Sequence, residues 1–205
     1  RAYFTYDPGP ARLTFDQIAV RSAFGAAQAE GAAQLRMGPN GWPEGLTAQM
    51  RLQSLSLAPG AAVQDGLSLD GADAHFALDL DPFTVRLGAL RIADPALALT
   101  LSGRLSAEPA GWDMAIDARG PRTDLGQVMA LWPRSLSPRP RDWVDRHVRA
   151  GQLHDVAAAL RLRAGSDPVM HLDAGFSGAE VAFNPALPAV RGAAGRLSVA
   201  RHRLS

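Results

Sequence analysis

The chain has 205 residues, 47% of them hydrophobic but only 6% aromatic, and carries a formal net charge of +1 with no cysteine. That is enough apolar material for one large domain or two small ones, and too much for a disordered chain. The 21 basic residues, all arginine, are matched by 20 acidic ones without like-charge runs; this withholds the clustered basic face that nucleic acid requires, and the missing cysteines exclude disulfides and thiolate metal sites.

Period-two alternation dominates the chain, the pattern of strands with one buried face. Leu13 and Phe15 give a first short case. At Met50, Leu52, Leu55 and Leu57 the phase flips. A one-residue slip sends every later side chain to the other face, so a bulge is predicted near Gln53 and Ser54. Ala74, Phe76, Leu78 and Leu80 then share one face against Asp73, His75, Ala77, Asp79 and Asp81. Leu97, Leu99, Leu101 and Leu105 oppose Ala98, Thr100, Ser102 and Arg104, and Trp112, Met114 and Ile116 oppose Asp113, Ala115 and Asp117.

Residues 123–150 break this rhythm and read as two short helices. Asp124 and Gln127 have capping-box spacing, and Leu125, Val128, Met129 and Trp132 follow on one helical stripe that Pro133 stops. Ser137-Pro138 can start the second helix, which carries Trp143, Val144, His147 and Val148. Arg146 and Arg149 suit its negative end, and Gly151 is expected as its C′ residue. A helical pair inside a strand-rich chain must pack on the sheet, cap its end or cover an edge.

Alternation resumes at Val156, Ala158, Leu160 and Leu162, and again in shorter form at Val181 with Phe183 and at Leu197 with Val199. Turn signals separate the strands: Asp7-Pro8-Gly9-Pro10, Gly38-Pro39-Asn40-Gly41, Ala58-Pro59-Gly60, Asp65-Gly66, Asp70-Gly71, Asp81-Pro82 and Pro109-Ala110-Gly111. Their spacing is that of an antiparallel meander. Gly103-Arg104-Leu105-Ser106 recurs as Gly195-Arg196-Leu197-Ser198, each at an expected strand start. The expected architecture is mainly β: one long antiparallel sheet with a two-helix insertion, its apolar face either hidden under a second sheet or curled into an open apolar groove. One continuous domain comprises sheet over 1–122, a helical insertion over 123–151 and sheet again over 152–205.

Chemistry is harder to find. The five histidines form no His-x-x-x-His pair, and His154-Asp155 or His171 with Asp173 read first as solvated residues. No nucleophile elbow or phosphate loop is present. Asp79 with Asp81, and Asp113 with Asp117, read as the wet side of a sheet rather than as catalytic pairs, since nothing suggests the burial that raises a carboxyl pKa. Trp42, Trp112, Trp132 and Trp143 read as anchors of turns and docked helices, ahead of contacts to lipid headgroups. Truncation of Trp143, as a docked anchor, is expected to cost about 3–5 kcal/mol. No apolar run of about 18 residues would span a membrane as a helix, and no signal peptide is recognisable. The chain opens at Arg1 without methionine, and we read it as an excerpt of a longer protein; a membrane anchor could lie outside the excerpt.

Several motifs occur together in order. Leu131-Trp132-Pro133, Arg141-Asp142-Trp143-Val144 and Arg149-Ala150-Gly151-Gln152-Leu153 form a central group. Gly41-Trp42-Pro43, Asp81-Pro82-Phe83-Thr84 with Gly88, Ser102-Gly103-Arg104 and Gly111-Trp112-Asp113 precede it; Phe176-Ser177-Gly178-Ala179, Leu187-Pro188 and Gly192-Ala193-Ala194-Gly195-Arg196-Leu197 follow. This set resembles the YhdP-type branch of the AsmA-like family over nearly the whole chain. The resemblance implies a periplasmic protein attached to the inner membrane of a Gram-negative bacterium, related to the bridge-like lipid-transfer proteins. It implies a groove conducting phospholipid toward the outer membrane, no enzymatic activity and no cofactor.

The groove candidates are then Phe76, Leu78, Leu80, Leu97, Leu99, Leu101, Trp112, Met114, Ile116, Val156, Leu160 and Leu162. Trp42, Pro43, Pro82, Phe83, Trp132, Pro133, Trp143 and Gly151 carry the motif and are expected to be structural. The expected partners are phospholipid, the membrane through the outlying anchor, and other envelope proteins. The alternative is a closed, non-catalytic β-sandwich scaffold that binds protein partners; an enzyme would need a concave polar pocket with perturbed carboxylates.

Overall fold

The computed structural model describes residues 1–23, 25–59, 66–93, 98–132, 138–184, 186–200 and 203–204. Strands β1 (Ala2–Asp7), β2 (Arg12–Ser22), β3 (Gly25–Met37) and β4 (Pro43–Leu57) form a meander. Along the far side of β4 lie, end to end, the short β5 (Leu67–Leu69) and β6 (Ala72–Leu80), with Leu69 opposite Leu55 and Ala72 opposite Leu52. The meander continues through β7 (Phe83–Ala93), β8 (Ala98–Glu108) and β9 (Gly111–Asp124). Helices α1 (Leu125–Leu131) and α2 (Pro138–His147) interrupt it before β10 (Val148–Arg163), β11 (Val169–Val181), β12 (Val190–Ala200) and β13 (Arg203–Leu204). All pairings are antiparallel, strand order follows chain order, and the sheet stays open rather than closing into a barrel.

The register explains why this sequence folds as one layer with two unlike faces. Following directly opposed residues from strand to strand gives Phe4, Phe15, Gly31, Met50, Ala74, Leu90, Leu101, Ala118, Ala158, Leu172 and Val199. Every member of that row is apolar or glycine. The opposite face carries charges in cross-strand pairs: Arg51 with Asp73 at 3.4 Å, Arg161 with Asp117 at 2.7 Å, Arg163 with Asp113 at 3.5 Å and Arg196 with Asp173 at 2.9 Å. Such exposed pairs contribute at most about 1 kcal/mol each; they keep this face wet and in register.

Bulges keep the apolar residues on one side. In β4, Gln28 faces Ser54 while Ala29 faces Leu52, so Gln53 is the extra residue at the predicted phase flip. The same device recurs where apolar residues stand three apart: Phe15 and Ile18 in β2, Leu87 and Leu90 in β7, Phe176 and Ala179 in β11. In β10 it falls between Leu153 and Val156, where Asp155 takes a positive φ of 52°. Each extra residue restores the phase and bends its strand, increasing local twist.

Some expectations change on contact with the structure. Asp124 is the N-cap of α1, but its side chain makes no capping hydrogen bond. Gly151 is not the C′ residue of α2: the helix ends at His147 and the chain enters β10 at once, taking Arg149 and Gly151 with it. Gly151 serves that strand instead, its φ of 155° coinciding with a register irregularity. Strand β11 stops at Val181, so Phe183 lies in the following loop, 54% exposed. Gly103 and Gly195 of the recurring tetrapeptide are mid-strand, each the sixth residue of an eleven-residue strand. An added Cβ at Gly103 would stand 2.3 Å from the Ala115 carbonyl, and one at Gly195 3.1 Å from the Phe176 ring. The repeat thus marks close approach between neighbouring strands, not a strand start.

Candidate functional site: an apolar sheet face under a helical pair

The rows beside the central one are equally apolar. Leu35, Leu46, Leu78, Val85, Leu105, Met114 and Leu162 oppose one another in turn, as do Phe76, Leu87, Gly103, Ile116, Leu160 and Met170. On the other side Leu52, Ala72, Ile92 and Leu99 continue the face. Phe76, Leu78, Leu80, Leu99, Leu101, Trp112, Met114, Ile116, Val156, Leu160 and Leu162 are therefore brought together on one surface. Leu97 lies outside the described residues, as does Pro133.

Among the described residues, little covers this surface. Ala33, Ala48, Ala72 and Ala74 are buried, while Leu78, Leu99, Leu101, Met114 and Leu160 between and beyond them stay partly exposed. The accessible surface of the chain is 12736 Å². A compact globule of 21.7 kDa would expose about 9200 Å². The difference is of the size a second layer would have removed.

Among the described residues, the cover is the helical pair. Trp132, 5% exposed, packs with Leu153, Val156, Leu172, Ala174 and Val199, and Val128 and Met129 of α1 press on the same cluster. Leu131 reaches the other way, onto the cluster of Leu69, Ala72 and Ile92. Short α1 thus lies over the apolar face between its two halves. Arg141 of α2 holds it there. This arginine is only 5% exposed, and its Nε donates to the Trp132 carbonyl at 2.8 Å and Nη2 to the Met129 carbonyl at 3.4 Å. A cation at these carbonyls also matches the negative end of the α1 dipole.

Two voids adjoin the pair. A cavity of about 300 Å³ lies between α1, α2 and β10–β12, lined among others by Trp132, Trp143, Leu153, Leu172, Phe176 and Leu197. A cleft of about 580 Å³ shares Leu125, Val144, Val148, Ala150 and Gly151 with it and adds Asp124, Asp145, Arg149, Gln152 and Ser177.

The motif residues occupy different settings. Trp42 stands 74% exposed in the β3–β4 turn, beside Pro43 at the start of β4. Pro82 follows a cis peptide bond in the β6–β7 turn, and Phe83 meets Trp112 edge-on with ring centres 5.9 Å apart. Trp112 is nevertheless 56% exposed. Trp143 is 38% exposed and stacks on His147 at 5.1 Å, so it is a partial anchor where Trp132 is a full one.

Of the carboxylates singled out as possible pairs, Asp79, Asp113 and Asp117 are engaged with arginines. Asp79 sits between Arg36 and Arg86, the latter at 2.6 Å. The Arg36 hydrogen bond, aided by the Arg86 charge, holds its pKa below the ordinary 3.8 against the opposing effect of desolvation. His154 lies 3.1 Å from Asp155. Among the described residues no group of three or more His, Asp or Glu is placed to hold a metal, and no helix is long and apolar enough to cross a membrane.

Sequence reasoning passed over β1 and β3 of the face, with Phe4, Ala33 and Leu35, as well as β7 with Val85, Leu87, Leu90 and Ile92 and most of β11 with Met170, Leu172 and Ala174. In β7 and β11 the signal was present as the three-residue spacing already recognised in β4. Arg141 was seen only as part of a motif; a buried arginine has no mark in a single sequence. Comparison with protein-family models, with curated proteins and with solved structures returns no match.

Proposed function

We propose that this chain is a segment of an envelope lipid conduit, which holds phospholipid acyl chains on its apolar sheet face and lets them move across successive strands. The observation that carries the reading is the unbroken apolar row over eleven strands of an open sheet, with no second sheet among the described residues to cover it. Such a face must find an apolar partner. Acyl chains suit it: each buried methylene contributes about 0.8 kcal/mol, and many equivalent Leu, Ala and Gly contacts without polar specificity favour sliding over fixed binding. The five bulged strands supply the bending by which a sheet coils around a guest. The Arg–Asp pairs of the other face fit an aqueous compartment. With the motif resemblance, this points to a YhdP-type AsmA-like protein in the periplasm, attached to the inner membrane through a part outside this chain, without catalysis.

The test is native mass spectrometry with lipid extraction on the chain purified from bacterial periplasm. Phospholipid should co-purify and be lost when Leu78, Leu99 and Leu160 are all changed to Asp, with the far-ultraviolet circular dichroism retained. A lipid-free stable monomer refutes the conduit and favours a scaffold that docks protein. A triple variant that unfolds shows these positions to be core.

A further inference from the structure

We infer that the helical pair and β10–β12 form a discrete seat for one single-chain zwitterionic amphiphile, with its acyl chain in the 300 Å³ cavity and its headgroup in the adjoining cleft. The inference deepens the conduit reading and rests on it for the lipid class, but its location is separate from the open rows around Leu78 and Leu99.

Size argues for one chain. At about 30 Å³ for a water-sized group, the cavity admits on the order of ten methylenes. Two acyl chains do not fit. Its walls are apolar on three sides: Val128 and Trp132 from α1, Trp143 from α2, and Leu153, Leu172 and Phe176 from the sheet. Such a pocket orients its ligand by the few polar groups at its mouth. Those groups belong to the cleft, which is continuous with the cavity through Val148, Ala150 and Gly151; Arg196, which also lines the cavity, has its guanidinium paired with Asp173 at 2.9 Å.

Charge selects the headgroup. Among the described lining residues the cleft holds two carboxylates, Asp124 and Asp145, and one guanidinium, Arg149. Arg149 is itself drawn on by Glu180 at 3.9 Å. A purely anionic headgroup would meet more negative than positive charge. A phosphate carrying an ammonium group complements both: phosphate toward Arg149, ammonium toward Asp124 and Asp145. A carboxylate-only fatty acid has no group for the two aspartates.

Tryptophan fluorescence tests this on the full chain. Trp42 in the β3–β4 turn and Trp112 at the start of β9, neither of which lines the cavity, are replaced by Phe, leaving Trp132 and Trp143 as reporters. The probe is a lysophosphatidylethanolamine with a brominated acyl chain, since bromine quenches indole at contact. Quenching should saturate at one probe per chain. Affinities of unlabelled competitors from hexanoyl to tetradecanoyl should rise about fourfold per methylene and level off after about ten. Lysophosphatidylglycerol of equal length should bind at least tenfold more weakly, and Ala150→Phe, at the passage between cleft and cavity, should abolish quenching.

Absent quenching, or affinity that climbs through tetradecanoyl, overturns the seat. Equal binding of the glycerol headgroup overturns the headgroup assignment. If phospholipid co-purifies and is lost in the Leu78, Leu99 and Leu160 variant while Trp132 and Trp143 stay unquenched, the seat fails and the conduit stands. If the reporters are quenched one-to-one although no phospholipid co-purifies, the seat stands without the conduit.

Discussion

Replacing Arg141 by Met tests what fastens the helical pair to the sheet. Methionine retains the apolar stem but removes the donor that meets the Trp132 carbonyl at 2.8 Å and the weaker one 3.4 Å from Met129. A hydrogen bond from a charged donor contributes about 1.5–3 kcal/mol. Against this, relief of the desolvation of an arginine only 5% exposed returns part of the loss. The net cost is on the order of 2 kcal/mol. It should fall on undocking of the pair rather than on the far strands, because β1–β3 have no part in either cluster that α1 reaches. Hydrogen exchange reads this directly: amides of α1 and α2 should lose protection by about thirtyfold, with those of β1–β3 unchanged. Arg141→Lys should recover little, since an ammonium cannot reproduce the guanidinium fork. Unchanged helix protection would show that the contacts do not hold the pair. Equal loss throughout the strands would show that the helices are integral to one cooperative unit.

Two further outcomes can be checked on the same protein. Trp132→Ala should destabilise by about 3–5 kcal/mol in chemical denaturation, whereas Trp143→Ala, at a residue 38% exposed, should cost about 1–2 kcal/mol; equal losses would contradict their different burial. Asp79 has a folded pKa below its ordinary value because of Arg36 and Arg86, so its contribution is present above about pH 4 and lost as pH falls through the lowered value. Stability measured against pH should therefore decline less steeply on the acid side in Asp79→Asn, and the difference should shrink in high salt.

Alternation alone exposed the sheet, since a strand with one wet face must alternate, and Leu52 with Leu55 located a bulge. The same spacing at Leu87 with Leu90 and at Leu153 with Val156 went unread because each looked like the end of a pattern rather than its continuation after one extra residue. The helices were legible from Trp132 and its stripe, but their ends were not: α2 passes into β10 without a terminating glycine, so Gly151 misled. Burial within the apolar face was also hidden. Trp112 and Leu162 alternate identically, yet Trp112 lies beside a turn where its ring is exposed, and periodicity carries no information about distance from a strand end. The cavity and cleft depend on α1, α2 and three strands meeting, which no local pattern encodes.

Because each strand bonds to its neighbours in the chain, this sheet behaves almost as a one-dimensional object. Outside the helical pair that separates β9 from β10, loop closure between successive strands is short, so hairpins can form and zip onto one another from many starting points without waiting for distant ends to meet. A lesion in one hairpin should stay near it, as in repeat arrays. Length, too, becomes an independent variable. One more hairpin at an end would extend the apolar surface by two strand spacings, about 10 Å, and leave every existing pairing untouched, so the reach of the face could change without redesigning the fold.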